Sequence, residues 1–582
     1  MLRSSPRFRP SRVLAWLSRG TGILPVFRQR RRHRTGARIA QCPRTLARLS
    51  AALALGLASL LFASCLQRET AVERGNREQV LHRGLGYEVS DLDPHLVTGI
   101  AEGEVLRALF EGLVVEDPVD LHPVPGVAES WDISPDGLTY VFHLRASARW
   151  SDGSAVTASD FVESFRRILT PSLAADYASM LYLLQGAEAF HKGVTRDFSR
   201  VGATAPDPRT LRLTLEHPAS YFLPLLTHWA WLPVPLATIA KNGPAYERGN
   251  PWTRAGRLVS NGPFVLQTWQ PGRVIVVQNS PTYWDAAQVR LRAIHFYPID
   301  SVDAEERAFR AGQLHVTDAL PVGKIDAYRQ ATPAVLRIDP YLDTYFYRFN
   351  TSRVPFTDAR VRRAFALAVD REAIVQRILR GGQSPAHAFT PPGIGGYTPA
   401  ASIPTDFAAA RALLKEAGYE GGRGLPAIEL LYNSSENHRL IAEAIQEMWR
   451  RELGVEVQLV NQEFKATLAA RRSGDFQILR SNWIADFVDP AAFLDIFRSD
   501  NGNNYTRWSS VDYDSTLFAA ERATDHAARL ALFQKAEALL LDAAPIIPIY
   551  HYTHVFLIQP SVKGWHPTLL DHHSYKHVWL EP

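Results

Sequence analysis

Cysteine is scarce in this sequence, which has only Cys42 and Cys65 among its 582 residues. Cys42 lies in a segment that we expect to be removed on export, so the mature chain would keep one cysteine and form no internal disulfide. A pair of cysteines at zinc-binding spacing is also excluded. Stability must therefore come from buried apolar surface, and a chain of this length with 46% hydrophobic residues can form two or three domains.

Acidic residues and lysine are missing from the first 64 residues, which contain 13 arginines. The formal net charge of +5 depends on this segment. Without its 13 arginines the 64 basic residues fall to 51 against 59 acidic residues, and the net charge becomes −8. An acidic mature chain gives no electrostatic support for nucleic-acid binding, and we expect no nucleic-acid partner.

Long apolar runs are also rare, and the notable one occupies residues 49–64, after an arginine-rich lead. It is too short for a membrane-spanning helix and has the charge asymmetry of a signal peptide. The sequence Ala-Ser-Cys that ends at Cys65 is similar to the end of a bacterial lipobox, although Phe62 is bulkier than the usual residue. We expect removal of residues 1–64, a lipid on Cys65 and a tether in residues 65–79. An ordinary signal peptide with an incidental cysteine is the alternative.

The sequence lacks the signatures of common catalytic sites. It has no GxSxG nucleophile elbow, no HExxH zinc motif and no GxxxxGK phosphate loop. A glycine-rich segment at residues 393–396 follows two prolines, which favours a plain loop over a phosphate cradle. His572, His573 and His577 could together bind a metal, but their position near the end of the chain favours a surface location. We therefore expect no enzyme activity, no cofactor and no metal.

The most informative stretch comprises residues 128–171. A turn at residues 134–137 contains proline and glycine, and it leads into residues 139–145, where apolar and polar side chains alternate as in a half-buried strand. A second turn, Trp-Ser-Asp-Gly, precedes Thr157, which begins a helix with an acidic residue three positions later. The stretch predicts a turn, a strand and a helix in succession.

The combination of motifs in this stretch is specific. SW-x-x-S-x-DG-x-x-Y-x-F-x-LR, followed by W-SDG-x-x-x-TA-x-DF, closely resembles the signature of the family-5 solute-binding proteins of ABC importers, which are peptide- and nickel-binding receptors. LDPH at residues 92–95 and LFEGL at residues 109–113 also match this family, and its peptide-binding members most of all. The resemblance implies an α/β fold of the two-lobed periplasmic-binding-protein type II class. This fold has an extra inserted small domain and a ligand cleft between the lobes.

The order of predicted elements gives the domain boundaries. Residues 343–553 alternate helices and strands, which is the pattern of a mostly parallel sheet covered by helices, and we assign them to lobe II. Within them we expect one long helix from Asp358 to Leu379. By the resemblance, lobe I is discontinuous and encloses the inserted domain in the sequence. We therefore expect lobe I in residues 80–110, 239–342 and 554–582, and the inserted small domain in residues 111–238.

The strongest candidate for a binding site is the segment of residues 480–490. Arg480 lies at the end of a predicted strand and is followed by Trp483 and Asp486, so that a cation, a flat apolar surface and an anion share one loop. A free peptide carries an ammonium group at one end and a carboxylate at the other. Fixed charges of opposite sign across a desolvated cleft would recognise both ends and ignore the side chains.

The resemblance implies roles for these residues. Asp486 would pair with the amino terminus of the ligand, Arg480 and His438 would lie around its carboxyl end, and Tyr177 and Trp483 would line the cleft. The alternative for Asp486 is a helix cap or a surface charge, and for His438 an exposed residue at a helix start. Peptide main chain would pair with extended segments near Tyr177 and Trp483, while ligand side chains would occupy hydrated pockets.

The resemblance also implies a side-chain pocket, to which we assign Arg348, Arg471 and Asp318. An acidic pocket position of the family aligns with Arg348, which makes the pocket more basic than usual. A basic pocket favours acidic peptides or murein peptides as ligands.

Other positions depart from the family pattern. An acidic position near the cleft is Thr98 here, and a lysine that can meet the carboxylates of longer peptides aligns with Leu379. These departures leave the preferred peptide length open. The paired cysteines of the family align with Asp343 and Ile484, so their disulfide is absent.

Together these features predict a receptor of an ABC importer that captures oligopeptides in a closing cleft and delivers them to a membrane permease and its ATPase. We expect a monomer in the periplasm or cell envelope, anchored through lipid on Cys65, without chemistry of its own. A receptor for murein peptides, nickel complexes or another family solute would have the same fold. The alternatives from other classes are a periplasmic peptidase that uses Asp486 and His438 with a metal, and a signalling or scaffold lipoprotein that has lost transport.

Overall fold

The structure is a computed structural model that describes residues 69–582, except residues 220 and 524 and the side chain of Lys465. The predicted leader in residues 1–64 and the predicted lipidation site Cys65 lie outside the described residues. None of the described helices is long and apolar enough to cross a membrane.

The described part of the chain contains 18 strands. In chain order they are β1 (Val80–Gly84), β2 (Val114–Glu116), β3 (Pro123–Pro125), β4 (Ala128–Ile133), β5 (Thr139–Leu144), β6 (Ala203–Asp207), β7 (Thr210–Thr214), β8 (Phe264–Gln270), β9 (Val274–Asn279), β10 (Ala293–Tyr297), β11 (Leu336–Phe349), β12 (Ser384–Pro385), β13 (Ile428–Asn433), β14 (Val457–Gln462), β15 (Ile478–Ile484), β16 (Ile546–Leu557), β17 (Val562–Lys563) and β18 (Trp579–Leu580).

The same residues form 16 α-helices. They are α1 (Ala71–Glu78), α2 (Ile100–Leu109), α3 (Ala158–Leu169), α4 (Ala187–His191), α5 (Phe222–Leu225), α6 (Leu236–Asn242), α7 (Val302–Arg310), α8 (Ile325–Ala331), α9 (Ala359–Leu367), α10 (Arg371–Ala373), α11 (Phe407–Glu416), α12 (Glu436–Leu453), α13 (Phe464–Ser473), α14 (Ala491–Leu494), α15 (Val511–Arg522) and α16 (His526–Ala543).

Helix α1 lies within the segment that is predicted to be a tether, so residues 71–78 of this segment are helical. The helix begins with a capping box, in which the backbone N–H of Glu73 donates to the Thr70 hydroxyl at 3.1 Å and the Thr70 N–H donates to the Glu73 carboxylate at 2.8 Å. Gly75 is buried in α1, where a Cβ would lie 2.4 Å from the Val80 carbonyl oxygen. The helix therefore packs closely against the start of β1.

A four-stranded antiparallel sheet in the order β4-β5-β7-β6 lies within the predicted inserted domain. Alternate side chains of β5 are buried, which confirms the strand predicted from residues 139–145. Helix α3 follows it and begins as predicted, since the backbone N–H of Thr157 donates to the Asp160 carboxylate at 2.7 Å. The motif-bearing stretch is thus a compact sheet-and-helix unit.

A six-stranded sheet in the order β12-β16-β11-β15-β13-β14 forms the centre of the second half of the chain. Strand β13 runs parallel to β14 and β15, but β11 runs antiparallel to both β15 and β16, and β12 runs antiparallel to β16. The sheet is therefore mixed, and the expectation of a mostly parallel sheet is wrong. The reason is that β11 runs opposite to its neighbour β15, a direction that helix–strand alternation does not reveal.

The long helix expected from Asp358 to Leu379 is interrupted. Helix α9 ends at Leu367, and the Asp370 carboxylate then accepts the Ala373 N–H at 2.9 Å to begin a new turn, which continues as a π-helical turn to Leu379. The break is stabilised by Arg371, which is fully buried and donates to the backbone carbonyls of residues 366, 369 and 548. The guanidinium thus satisfies carbonyls that a continuous helix would have used.

Strands β11 and β16, with 14 and 12 residues, are paired along most of their length. The pairing begins at Leu336 with Leu557 and becomes irregular between Pro340 and Thr344. Near its start, the backbone N–H of Thr317 donates to the Leu557 carbonyl at 2.9 Å. One end of this strand pair is therefore bonded to residues of the predicted lobe I, and the other end lies inside the six-stranded sheet.

The predicted domain boundaries after residues 342 and 553 fall inside these two strands. Apolar packing follows a similar division, because one large cluster of buried side chains comes from residues 81–296 together with residues 316 and 556–580. A second comes from residues 345–550. The boundaries themselves stay a prediction, but both clusters are consistent with a tail that returns to the first half of the chain.

A buried ion pair fixes the LDPH motif. Arg167 on α3 donates two hydrogen bonds to the Asp93 carboxylate, at 2.9 and 2.6 Å, and the Trp252 indole N–H donates a third at 2.9 Å. Both charged side chains are removed from water, since their exposed fractions are 0% for Arg167 and 3% for Asp93. The pairing connects three segments that are far apart in the sequence.

We expect Asp93→Asn to lower the free energy of unfolding by about 3–5 kcal/mol, because it leaves the Arg167 guanidinium buried without a counter-charge. The shift of the urea midpoint, followed by tryptophan fluorescence, measures this effect. Glu447→Gln is the control, since it removes an exposed partner of Arg450 and should leave the midpoint unchanged. Equal midpoints for both variants would show that the buried pair contributes no more than a surface pair.

Candidate functional site

The candidate site lies at one edge of the six-stranded sheet. Strands β13, β14 and β15 are parallel, so their carboxyl ends meet at the same edge, where ligands of open α/β sheets commonly bind. The loop that carries Asp486 follows β15, and helix α12, which carries His438, follows β13. The topology therefore places both of these predicted site residues at this edge.

Asp486 is a half-buried carboxylate that has no hydrogen-bond or ion-pair partner among the described residues. Burial raises its pKa from the ordinary value of 3.8 to about 7. The alternative of a helix cap does not apply, because α14 begins after Asp489, whose own carboxylate accepts the Ala491 N–H at 2.9 Å. Asp486 is left as an acceptor without a donor.

Tyr177 lies within electrostatic range of Asp486, although 308 intervening residues separate them in the sequence. Burial, and then the charge of Asp486, raises the pKa of the Tyr177 phenol. The Tyr177 ring contacts the rings of His228 and Trp229, with centroids 4.7 and 5.9 Å apart. The structure thus brings together the predicted amine partner and one of the two predicted cleft-lining aromatics.

Trp483 lies on β15, three residues before Asp486. Its indole N–H donates to the Ala492 carbonyl at 2.6 Å, which fixes the ring against the start of α14. Because side chains alternate along a strand, Trp483 shares a face of β15 with Ser481, whereas Arg480 points to the other face. The ring is half-buried and keeps part of its surface open.

Arg480 and His438 form a basic group around Tyr345. The Arg480 guanidinium lies 4.6 Å from the Tyr345 ring centroid and donates to the Tyr552 hydroxyl at 2.9 Å. The Tyr345 hydroxyl lies 3.4 Å from Nδ1 of His438. Burial, and then the charge of Arg480, lowers the pKa of His438 to about 3, so this imidazole is neutral at physiological pH. The two residues that the resemblance assigns to the ligand carboxyl end are thus neighbours.

The predicted side-chain pocket is only partly assembled. Arg348 and Arg471 both lie against the ring of Tyr505, at 5.3 and 4.6 Å from its centroid. Asp318 belongs to a different group, since the Asp318 carbonyl is 2.6 Å from Nε2 of His554 and burial raises the pKa of its own carboxyl. The structure brings the two arginines together and places Asp318 elsewhere.

Asp343 and Ile484, where the paired family cysteines align, are directly opposite each other on β11 and β15. Asp343 is buried, and burial raises its pKa to about 7, while the Asn482 amide donates to its carboxylate at 3.0 Å. A carboxylate thus occupies the position of the missing disulfide, next to the Arg480 group.

Sequence reasoning missed a contact between the two halves of the chain. The ring of Tyr221 stacks on Phe487, with centroids 5.3 Å apart and planes at 12°. Arg529 lies 5.3 Å from the Tyr221 centroid and donates two hydrogen bonds to Asp489, at 2.7 and 2.8 Å. No local pattern signals this contact, because Tyr221 and Phe487 are ordinary aromatic residues in separate loops. It holds the Asp486 loop against the first half of the chain.

The histidines near the end of the chain are not among the described residues whose potential metal-ligand atoms cluster closely. His573 is buried and stacks on Trp565 at 3.9 Å, so a surface location is wrong for this residue. His572 is occupied by Glu116, whose carboxylate lies 2.8 Å from its Nδ1. In the described part of the chain, the potential metal ligands that cluster closely are instead Asp117, Asp120 and His122 on an exposed loop, and this group is separate from the candidate site.

The fold and the site define a class: an α/β protein of two lobes, joined by long paired strands, with unpaired charged groups at the edge between them. The chain belongs to the bacterial extracellular solute-binding proteins, family 5, because the sequence profile described as "Bacterial extracellular solute-binding proteins, family 5 Middle" matches residues 122–505. The family and the two-lobed fold class predicted from the motifs are thereby confirmed.

Similar proteins cover nearly the whole described chain. The periplasmic oligopeptide-binding protein OppA of Escherichia coli K12 is 38% identical over 501 residues, which are 84% of this chain and 90% of that protein. The structure of the E. coli murein tripeptide binding protein MppA has a TM-score of 0.77 and 35% identity, and it covers 86% of this chain and 98% of its own. OppA of Haemophilus influenzae in complex with RPPGFSPFR has a TM-score of 0.76 and 31% identity, with 87% and 99% covered.

We expect Asp486→Asn to stabilise the ligand-free protein at pH 8 and to have little effect at pH 4. The folded pKa of about 7 exceeds the ordinary 3.8, so the folded state holds the proton more tightly and loses stability as the pH rises from about 4 to about 7. Asparagine removes this loss. Thermal unfolding midpoints at both pH values measure the effect.

Asp300→Asn is the matched control, since Asp300 is exposed and should give no pH-dependent gain. A gain for Asp486→Asn that is equal at pH 4 and pH 8 would contradict the assignment of a desolvated carboxyl.

Proposed function

We propose that this protein is the substrate-binding component of an ABC importer, which captures oligopeptides between its lobes and presents them to a membrane permease with its ATPase. The observation that carries the proposal is the unpaired Asp486 carboxylate, desolvated and close to Tyr177. Membership of a solute-binding family and the likeness to oligopeptide-binding proteins support it.

The amino terminus of a peptide supplies what Asp486 lacks. An ammonium group beside the carboxylate would favour its ionised form and lower its raised pKa, so the cost of desolvation in the empty site would be offset in the complex. A ligand without a cation at this position would leave the carboxyl protonated or the charge unpaired. This chemistry selects a free amine and is indifferent to the side chain beside it.

The carboxyl end of the peptide fits the basic group of Arg480 and His438. Arg480 has a buried Nε that lacks a hydrogen-bond partner in the described chain, and it is turned over Tyr345. A carboxylate can accept from the guanidinium and from neutral His438 together. Main-chain pairing with the extended segments near Tyr177 and Trp483 would supply affinity that does not depend on sequence.

A binding role without catalysis suits these groups. His438 contacts Tyr345, and no hydrogen bond or ion pair joins it to Asp486 in the described part of the chain. Capture and release are the steps that the geometry supports.

The cellular setting follows from the family and the leader. Named relatives are periplasmic, and we place this protein in the periplasm or cell envelope as a monomer. Lipid on Cys65 would hold it at the membrane, with removal of residues 1–64 and a short tether to α1. A single acyl chain binds membranes only weakly, so stable anchoring would need more than one.

Murein peptides are the second candidate ligands. The observation that favours them is the likeness to a murein tripeptide binding protein at a TM-score of 0.77. Such peptides are also oligopeptides with acidic groups, so both candidates use the same site. Nickel complexes would not require the ammonium partner of Asp486.

We expect isothermal titration calorimetry of residues 66–582 to show binding of unblocked tri- and tetra-alanine, and to show affinity lower by roughly 30- to 1000-fold after acetylation of the amino terminus. The reason is that acetylation leaves Asp486 without a counter-charge. Asp486→Asn should remove most of the difference between free and acetylated peptides, whereas Asp300→Asn should preserve it.

Two results would overturn the proposal. The first is equal affinity for free and acetylated peptides in the unaltered protein. The second is an absence of heat with every peptide, together with binding of a nickel complex measured in the same titration.

A further inference from the structure

A buried histidine beneath helix α1 has its basic nitrogen occupied. His315 is fully buried, and its Nδ1 accepts the backbone N–H of His82 at 3.0 Å. Because a backbone N–H can only donate, Nδ1 carries no proton, and the ring is the neutral tautomer with its hydrogen on Nε2. Protonation of Nδ1 would place two donors against each other and break this hydrogen bond. The geometry therefore requires a neutral His315.

Helix α1 packs directly on this histidine. Nε2 of His315 donates to Oδ1 of Asn76 on α1 at 3.1 Å. Gly75 has no side chain, and a Cβ added there would lie 2.6 Å from Cε1 of His315 and 3.2 Å from Cδ2 of His82. The backbone of α1 thus covers both rings, and the two histidines are 0% and 5% exposed.

The groups that face these rings bring positive charge and no acid. The His82 ring stacks on His315 with centroids 5.5 Å apart and contacts the edge of His295 at 4.9 Å. The exposed Arg74 of α1 acts on His82 and His295, and the Tyr297 hydroxyl lies 2.9 Å from Nδ1 of His82. In the described chain, no ion pair joins a carboxylate to Arg74 or to any of the three histidines.

The other charged side chains around α1 do not change this balance. Most of them are bonded to one another or to Thr70, in the groups Glu73 with Thr70, Arg77 with Glu69 and Glu78, Arg310 with Glu306, and Lys563 with Glu581. Arg292, next to the start of β10, is exposed and adds a further positive charge. A proton on the buried histidines would therefore have no counter-charge.

Protonation is costly only while α1 covers the rings. Burial, and then the charges of His295 and His315, lowers the pKa of His82 to about 3, and burial lowers the pKa of His315 to about 4. Both values lie below the ordinary 6.5, so the docking of α1 loses stability as the pH falls below about 6.5. At pH 5, each histidine that regains its ordinary pKa on release weakens docking by a factor of about 30.

We propose that α1 is an acid-releasable element, which is docked by neutral His315 and His82 and detaches when they are protonated. Cys65, the proposed lipidation site, precedes α1 by a few residues, so release would add residues 70–79 to the membrane tether. An extended chain spans about 3.3 Å per residue, and the tether would gain about 30 Å of reach. This gain rests on the proposed lipid anchor, whereas the release of α1 itself does not.

Hydrogen exchange of residues 66–582, measured by mass spectrometry at pH 7.5 and pH 5, tests the release. Rates are converted to protection factors, which removes the intrinsic pH dependence of exchange. We expect the protection of α1 to fall by roughly 10-fold or more at pH 5, because a helix of eight residues is not stable once it is undocked. The protection of β13 and β14 should not change.

Variants assign the effect to the two histidines. His82→Gln combined with His315→Gln should keep α1 protected at both pH values, since glutamine amides can bond but do not titrate. His526→Gln is the control, because His526 is an exposed histidine at the start of α16, and it should keep the full pH response. Gly75→Val should release α1 at both pH values.

A second measurement does not depend on how the glutamine variant folds. NMR titration of the histidine Cε1–H signals in the unaltered protein should give pKa values below 5 for His82 and His315. In Gly75→Val the pKa of His315 should rise toward 6.5. Ordinary pKa values for both histidines in the unaltered protein would overturn the inference.

Three exchange results would also overturn it. The first is equal protection of α1 at both pH values, and the second is a full loss at pH 5 in the double glutamine variant. The third is a loss that extends to β13 and β14, which would be global acid unfolding. Calorimetry with tri-alanine at pH 7.5 is a separate readout, and these variants should bind it as the unaltered protein does. Failure of the peptide receptor and failure of this inference are thus different results.

Discussion

A charged side chain removed from water needs a compensating partner. The frame of the protein, by which we mean the described chain outside the candidate site, and the site itself differ in whether the chain supplies that partner. Three pairs in the frame meet the requirement: Arg167 has Asp93, Arg83 has Glu104 and Arg529 has Asp489, each pair buried and hydrogen-bonded. These pairs connect segments that are remote in the sequence and so fix the arrangement of the chain.

At the edge of the six-stranded sheet the requirement is not met. Asp486 has neither a cation nor a hydrogen-bond donor among the described residues, and Arg348 and Arg471 both lie against Tyr505 without an ion-pair partner among those residues. Perturbed groups of this kind concentrate where a protein binds ligands. A ligand would supply the counter-charges that these groups lack, whereas the pairs in the frame are formed within the chain.

The paired strands β11 and β16 join this site to the rest of the molecule. Tyr552 on β16 accepts from Arg480, and Asp343 lies in the irregular part of β11, beside the same guanidinium. Groups that act on the Arg480 guanidinium therefore lie on the strands that pass between the two halves, whereas Arg480 itself lies on β15.

Local structure was predictable where the signal is local. The Thr157 capping box and the alternation in β5 both follow from neighbouring residues, and the structure has each of them. The interrupted helix was not predictable from its neighbours, because Arg371 at the break binds a carbonyl 177 residues away. The direction of β11 was also not predictable, since it depends on where the chain crosses between the lobes and not on neighbouring residues.

The site shows the same division. Motif resemblance indicated Asp486 and Tyr177, and the structure places them close together. It could not indicate the stack of Tyr221 on Phe487, since neither residue belongs to a motif. It also grouped Asp318 with Arg348, whereas the fold directs the Asp318 carbonyl toward His554. Positions along the chain identify candidate residues, but only the packing shows which of them meet.

The short loop after β15 carries three adjacent functions. Asp486 is the free carboxylate, Phe487 touches Tyr221, and Asp489 is fixed by Arg529. In a receptor, the residue that binds the ligand and the residues that hold the two halves together would thus belong to one loop. A permease that moves this loop away from Tyr221 would separate the two halves and move Asp486 away from the ligand amine at the same time. Release of the ligand would then need no second event.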